Sequence, residues 1–334
     1  MTKTRSFMSL QLKLHCTLTN LLALTALLLA LLFPLAGHAQ LSGHNTKGDF
    51  GLQSGTQAPP GFYVVPLYYD YSADTLRDGN GDRFEPLGGG GSLDAKAMIV
   101  GGLWVTDKKF LGGNYGFAIF PGVTNNALEL PALQTNSNTS TGFADLYIQP
   151  IILGWNKAQA DFTAGLGIYA PTGEFEAGGD SNRGLGMWSY EIFGGTTVYF
   201  DEARTWHFAA TAYYETHGEK DGTDIRVGDI LTLEGGLGKS FMDGAVNVGV
   251  SYYAQWKLSD DDFGLGFTPP GGQILDKHRV YGFGPEVTLP LASKSKLYGF
   301  LNLRYFRETG ARTALEGNTF LATFTFPIPS IPLQ

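Results

Sequence analysis

Four histidines follow residue 39: His44, His207, His217 and His278. Each is a candidate for acid–base or metal chemistry. A Ser–His hydrolase needs a nucleophile, a base in hydrogen-bond reach and a group to orient the base. His207, with Ser189 or Glu191 on a preceding strand, is the set the sequence offers. No Gly-x-Ser-x-Gly elbow accompanies it. His217-x-Glu219 and the run Asp260-Asp261-Asp262 are cation-ligand types, but they lack the glycine and spaced ligands of a calcium loop. Gly88 to Gly91 lacks the strand–loop–helix setting and the basic residue of a phosphate cradle. The single cysteine, Cys16, precedes a long apolar run, so no disulfide or thiolate metal site is expected beyond it. The sequence therefore reads as non-enzymatic, with no cofactor and no metal.

These side chains belong to elements with a period of two. In Trp206 to Glu215, Trp206, Phe208, Ala210, Ala212 and Tyr214 fall on one face, and His207, Thr211, Tyr213 and Glu215 on the other. Successive side chains of a strand point to opposite faces. Val246, Val248, Val250 and Tyr252 alternate likewise with Asn247, Gly249, Ser251 and Tyr253, as do Phe162 to Ile168 with Asp161 to Gly167. Twelve such segments recur, near 61–73, 92–105, 114–122, 142–155, 158–170, 187–200, 203–217, 226–239, 244–257, 278–291, 295–308 and 313–326. Many exceed the roughly 9–11 tilted residues that span a bilayer. Gaps alternate between long (74–91, 123–141, 171–186, 218–225, 258–277, 309–312) and short, such as Asn156-Lys157 and Met242-Asp243. Short periplasmic turns and longer external loops mark outer-membrane barrels. The expected fold is all-β: a transmembrane antiparallel up-and-down barrel of about twelve strands over 61–326.

In such a barrel ionisable groups belong on the lumen side, because Arg or Lys facing lipid costs roughly 2–4 kcal/mol near the midplane. The expected lumen lining is Asp70, Lys96, Gln149, Asp161, Glu191, His207, Glu234, Gln255, Glu286 and Arg304. Tyr69, Tyr71, Trp104, Trp155, Trp188, Tyr190, Trp206, Trp256 and Tyr305 are expected in interfacial girdles.

The ends carry other signals. Lys3, Arg5 and Lys13 lead into an apolar run from Leu18 to Leu35, then Gly37-His38-Ala39. Residues 1–39 are expected to be a cleaved signal peptide. Its loss removes three basic residues, taking the formal charge from -8 to -11. A chain this acidic is not a nucleic-acid binder. Residues 40–60 are polar and glycine-rich and end in Pro59-Pro60, which stops strand pairing. They are expected either to lie free in the periplasm or to fold into the lumen as a plug, with Asp49, Gln53, Thr56 and Gln57 meeting luminal charges. Residues 327–334 form a tail beyond the last strand.

The run Ser-Gly-Thr-Gln-Ala-Pro-Pro-Gly-Phe-Tyr at 54–63 resembles the opening of the phenol meta-pathway degradation-like family. Gly-Phe-Ala-Asp-Leu-Tyr at 142–147 and Gly-Ile-Tyr-Ala-Pro-Thr-Gly-Glu-Phe at 167–175 resemble later family landmarks. The resemblance implies an outer-membrane barrel for passive uptake of small hydrophobic or aromatic compounds. Its partners would be outer-membrane lipids and lipopolysaccharide, the barrel-assembly machinery, and hydrophobic solutes caught by loop aromatics Phe84, Phe143, Phe175, Phe263 and Phe267. The same barrel with a filled lumen could instead serve a structural or surface-binding role, and a lipid hydrolase is the third alternative.

Overall fold

The computed structural model describes residues 41–84, 91–130, 135–179, 181–264, 277–329 and 331–332. The expected signal peptide, Phe267 and most of the Gly88–Gly91 run lie outside the described residues. Among them the chain forms one antiparallel sheet of sixteen segments. These are β1 Gly61–Arg77, β2 Ser92–Phe110, β3 Gly113–Phe120, β4 Gly122–Leu130, β5 Thr135–Asn138, β6 Gly142–Phe143, β7 Leu146–Asn156 and β8 Ala160–Ala170. They continue with β9 Ser189–Tyr199, β10 Trp206–His217, β11 Ile230–Phe241, β12 Val246–Lys257, β13 Arg279–Ser293, β14 Lys296–Arg312, β15 Ala314–Ile328 and β16 Ile331–Pro332.

Twelve of these, β1 to β3 and β7 to β15, are the staves of a closed barrel. Each pairs with its chain neighbour, and β1 pairs both β2 and β15, so the sheet closes on itself. Closure is what hydrocarbon demands, because no water is there to satisfy an open edge. The connections sort by length: the described residues of 78–91, 171–188, 218–229 and 258–278 lie at one end, and tight turns such as 157–159 and 242–245 at the other.

The segment 123–141, expected as a long loop, is instead largely strand. β4 continues the register of β3 along β2, with Ile119 opposite Gly102 and Gly122 opposite Ile99. Pro121 separates them because it has no N–H to give the ladder. β4 with β5 and β6 forms an arm at the long-loop end, its polar Thr and Asn content having hidden the alternation. The expected gap 309–312 is also strand, leaving only Thr313 to turn the chain. The tail does not hang free throughout, since Ile331 and Pro332 pair with Leu297 and Lys296 of β14.

The two faces separate as alternation requires. Trp104, Phe162, Ile192, Phe208, Leu237, Val250 and Phe283 are exposed on the outside, while Asp161, His207, Thr211, Ser251 and Phe306 are buried within. Trp104, Trp188, Tyr190, Trp206 and Tyr305 also face outward. Tyr69 and Tyr71 do not: they turn into the lumen, where Tyr71 is buried. β1 carries tyrosine on both faces (Tyr68, Tyr69, Tyr71), so hydrophobicity alone did not give its phase.

Candidate functional site

Residues 41–60 run the length of the barrel interior. At the long-loop end Leu41 O accepts from Lys257 Nζ at 2.8 Å, and at the tight-turn end Thr56 Oγ1 donates to Asp161 at 3.1 Å. Between these points the segment is latched to one side of the wall.

The first latch is His44. Its backbone N–H donates to Glu215 at 2.7 Å, its ring meets Ser189 Oγ at 2.8 Å and Asp145 at 2.9 Å, and Tyr169 stacks on it at 4.8 Å. Asn45 donates to Glu191 at 3.0 Å, and Tyr147 OH donates to the same carboxylate. Asp145 also takes the N–H groups of Gly173 and Leu185, which folds loop 171–188 over the mouth. Burial pushes its carboxyl up, but the bond from His44, that ring's charge and the two N–H groups outweigh burial and hold it below the usual carboxylate range.

The second latch is Lys47, 2.7 Å from Glu308. Glu308 accepts three further bonds, from Tyr71 OH, Tyr253 OH and Gly317 N–H. Four donors around one buried carboxylate satisfy the demand that buried charge be paired and hydrogen-bonded. The Lys47 ammonium also lies 5.3 Å and 5.6 Å from the ring centres of Tyr71 and Tyr253.

The third is backbone. Arg304 donates to the carbonyls of Gly48 and Asp49, and Glu286 accepts Leu52 N–H at 3.0 Å. The Leu52 side chain is buried in a socket left by Gly236, Gly238 and Gly249, where any added Cβ would meet it. Gly55 lies directly against the backbone of Thr196, so a Cβ there would be 2.1 Å from a carbonyl carbon. Leu52→Ala is expected to cost about 2–5 kcal/mol of local docking energy, since the rigid strands around the socket cannot collapse. Amide exchange over 50–56 reads it; protection equal to wild type would show that Leu52 anchors nothing.

The expected lumen residues fall into two groups. Gln149, Asp161, Glu191, His207, Glu234, Gln255, Glu286 and Arg304 are buried inside the barrel. Asp161, Glu191, Glu286 and Arg304 bond residues 45–56 directly, and Gln149 and Gln255 line the remaining cavity. Asp70 and Lys96 are a correction. They lie opposite each other on β1 and β2, face outward with Phe62 and Met98, and approach to 3.8 Å. The pairing of opposite charges lets both sit on the outside, and tyrosines on both faces of β1 hide its parity in the sequence. In the N-terminal segment, Thr56 and Gln57 meet the wall, Gln57 reaching Ile152 O at 3.4 Å. Gln53, Pro59 and Pro60 are exposed, and Asp49 contributes its backbone carbonyl to Arg304.

The expected His207 constellation does not form. His207 lies near the tight-turn end opposite Tyr199, whereas Ser189 pairs with His217 at the other end. The histidine that meets Ser189 is His44. Its contacts with Ser189 and Asp145 have the connectivity of a hydrolytic triad, but Ser189 is fully buried and the ring is covered by Tyr169. Ser189 has no access to a substrate there, and the set ties His44 to the barrel wall. Sequence reading also missed Lys47, Glu215 and Glu308 as latch residues. Parity from His207 to Glu215 and from Arg304 to Glu308 puts both glutamates on the polar face, so that signal was present.

What the segment leaves open is a cavity of about 1150 Å³. Its outer wall comes from β1, β2 and β3, with Val65, Leu67, Ala95, Ala97, Ile99 and Leu103 facing in. Phe84 and Arg183 line it at the long-loop end, and Asn247 and Thr325 at the tight-turn end. A closed barrel of this kind is also what the comparisons return. The profile of a family described as "Putative MetA-pathway of phenol degradation" matches residues 73–324.

The chain belongs to that family.

Its fold is similar to the crystal structure of the COG4313 outer membrane channel from Pseudomonas putida F1, at a TM-score of 0.67 and 14% identity, covering 85% of this chain and 99% of that one. The β domain of the Bordetella autotransporter BrkA is more distant, at a TM-score of 0.45 and 12% identity over 80% of this chain and 99% of that one. No curated protein matches the sequence, and no enzyme family is indicated. This member of the phenol-degradation family is thus a barrel of the bacterial outer membrane. In barrels of the outer membrane long loops are external and tight turns periplasmic.

Proposed function

We propose that this protein is an outer-membrane channel through which small hydrophobic or aromatic molecules diffuse inward along the flank of the internal segment. The observation that carries this is the division of the lumen. Most of the charged latches, from Asp161 to Glu308, lie on β8 to β14, and the open space lies between them and the aliphatic wall of β1 to β3, with Asp145, Glu286 and Arg304 on its far side. A cavity at or above the roughly 300–1,000 Å³ of small-molecule pockets takes a one- or two-ring solute against that aliphatic wall. Tyr69, Phe84 and Phe120 supply aromatic contacts along the way. The family description, which names phenol degradation, accords with aromatic cargo. No step in this scheme needs an energy source beyond the solute gradient.

Outer-membrane vesicles are the suitable test, because their lipopolysaccharide leaflet slows apolar solutes that cross plain phospholipid unaided. Vesicles carrying the protein are expected to take up a fluorescent two-ring aromatic faster than vesicles without it. Ala97→Trp, which fills the passage from the wall, is expected to reduce that gain roughly tenfold, as a well-packed cavity has no slack for the added ring. Uptake no faster than in protein-free vesicles would overturn the channel and favour a structural barrel, a reading that the number of latches itself recommends.

A further inference from the structure

The outward face of β13 and β14 carries an arrangement that the lumen does not explain. Val280 is buried inside, so Arg279 faces out. Phe306 and Glu308 are buried inside, so Arg307 faces out, and Arg312 is exposed beside buried Ala311. Arg279 and Arg312 are direct partners across the ladder. Like charges directly opposite each other destabilise a sheet unless an anion lies between them. Among the described residues no carboxylate forms an ion pair with Arg279, Arg307 or Arg312. The carboxylate on the adjoining strand, Glu316, is taken by Arg77 at 2.7 Å and by Ala311 N–H at 3.2 Å. The Nε of Arg279 is buried without a partner, and its guanidinium rests 5.8 Å from the ring centre of Tyr281.

The level of this patch is also informative. Tyr281 packs edge-on against Trp256, and Tyr305 donates to Asn318, all on the outward face. Such aromatics mark the depth of lipid headgroups. Arg307 sits about four residues deeper than Arg279, roughly 13 Å at strand rise, and its long stem can carry its head up the wall. β14 and β15 join here through Thr313 alone, whose N–H donates to Asp78 O, and Gly81 of the loop after β1 lies beside Arg312.

We infer that Arg279, Arg307 and Arg312 form a binding site on the outer rim for the phosphate groups of a phosphorylated glycolipid of the outer leaflet. Guanidinium groups match phosphate oxygens in bidentate geometry and keep their charge at any physiological pH. A lipid-borne phosphate suits the site better than a free anion, since the three side chains emerge on the hydrocarbon-facing wall and not from the loops above it. The bound phosphate supplies the negative charge that the Arg279–Arg312 pair lacks.

Native mass spectrometry of the detergent-purified barrel tests this with four probes: bisphosphorylated lipid A, monophosphorylated lipid A, fully dephosphorylated lipid A and inorganic phosphate. Binding is expected to weaken in that order for the three lipids, by at least tenfold from the first to the third. The variant R279Q/R307Q/R312Q is expected to lose the same tenfold, while K108Q/K109Q, exposed at the opposite end, binds as wild type. If the triple variant fails to fold by heat-shifted gel migration, R307Q alone is expected to show a several-fold loss, and the lipid series on the wild type stands without any variant. Equal binding of the dephosphorylated lipid would reduce the site to apolar wall contact and overturn the inference. So would unchanged binding in the folded triple variant, or displacement of the lipid by an equimolar amount of inorganic phosphate.

Discussion

Deleting residues 41–58 is expected to raise single-channel conductance in planar bilayers roughly tenfold and to make the pore cation-selective. The size follows from geometry: a cylinder of twelve strands is intermediate between the filled eight-stranded barrels and the open sixteen-stranded porins, so an internal segment decides whether water passes. The selectivity follows from what the deletion uncovers. Asp145, Asp161, Glu191, Glu215, Glu286 and Glu308 each bond to the segment, and Arg304 and Lys257 are the basic side chains that do. Six uncovered carboxylates against one guanidinium and one ammonium leave a lumen that attracts cations. The barrel itself is expected to survive, because its ladder closes from β1 to β15 without any bond to residues 41–58. Heat-shifted gel migration reads this independently. Conductance at the wild-type level with the barrel intact would mean that the passage is limited elsewhere, for instance by the inward-folded loop 171–188.

The second large effect concerns the Lys47–Glu308 pair. Lys47→Met is expected to weaken docking of the segment by about 3–5 kcal/mol, the usual cost of stripping one partner from a buried ion pair. The Glu308 side chain has no exposure and that of Lys47 is 19% exposed, so solvent screens the pair little. Tyr71, Tyr253 and Gly317 still donate to the carboxylate, which places the result toward the lower end of that range. The double variant K47M/E308Q is expected to recover most of the loss, since a neutral amide keeps the tyrosine partners without a stranded charge. The cycle separates pairing from packing. Measured as amide exchange over residues 44–52, equal losses in the single and double variants would show that the two side chains are not coupled and that the cation–π contacts of Lys47 carry the latch.

Much of the barrel is legible in the sequence. Period-two alternation is a local property of the backbone, so Trp206 to Glu215 and Val246 to Tyr253 declare both their strands and their faces. Once lipid is taken as one solvent, an unpaired edge is excluded and the strands must close. Alternation failed where it was weak or doubled: along 123–141, where Thr and Asn mask the arm, and in β1, where tyrosines on both faces reversed the placing of Asp70, Lys96, Tyr69 and Tyr71.

The sequence by itself thus determined the strands, most of their inward and outward faces, and the membrane as their solvent, because each of these follows from residues within a few positions of one another. Only the tertiary structure decided how the lumen is used. The bonds that fix residues 41–58 join positions 95 to 261 apart, as from Gln57 to Ile152 and from Lys47 to Glu308. No periodicity reaches that far. Which wall receives the charged latches, and which is left bare for an apolar solute, depends on strand register summed around the whole cylinder, and a single residue of slip in any one ladder would exchange the two faces.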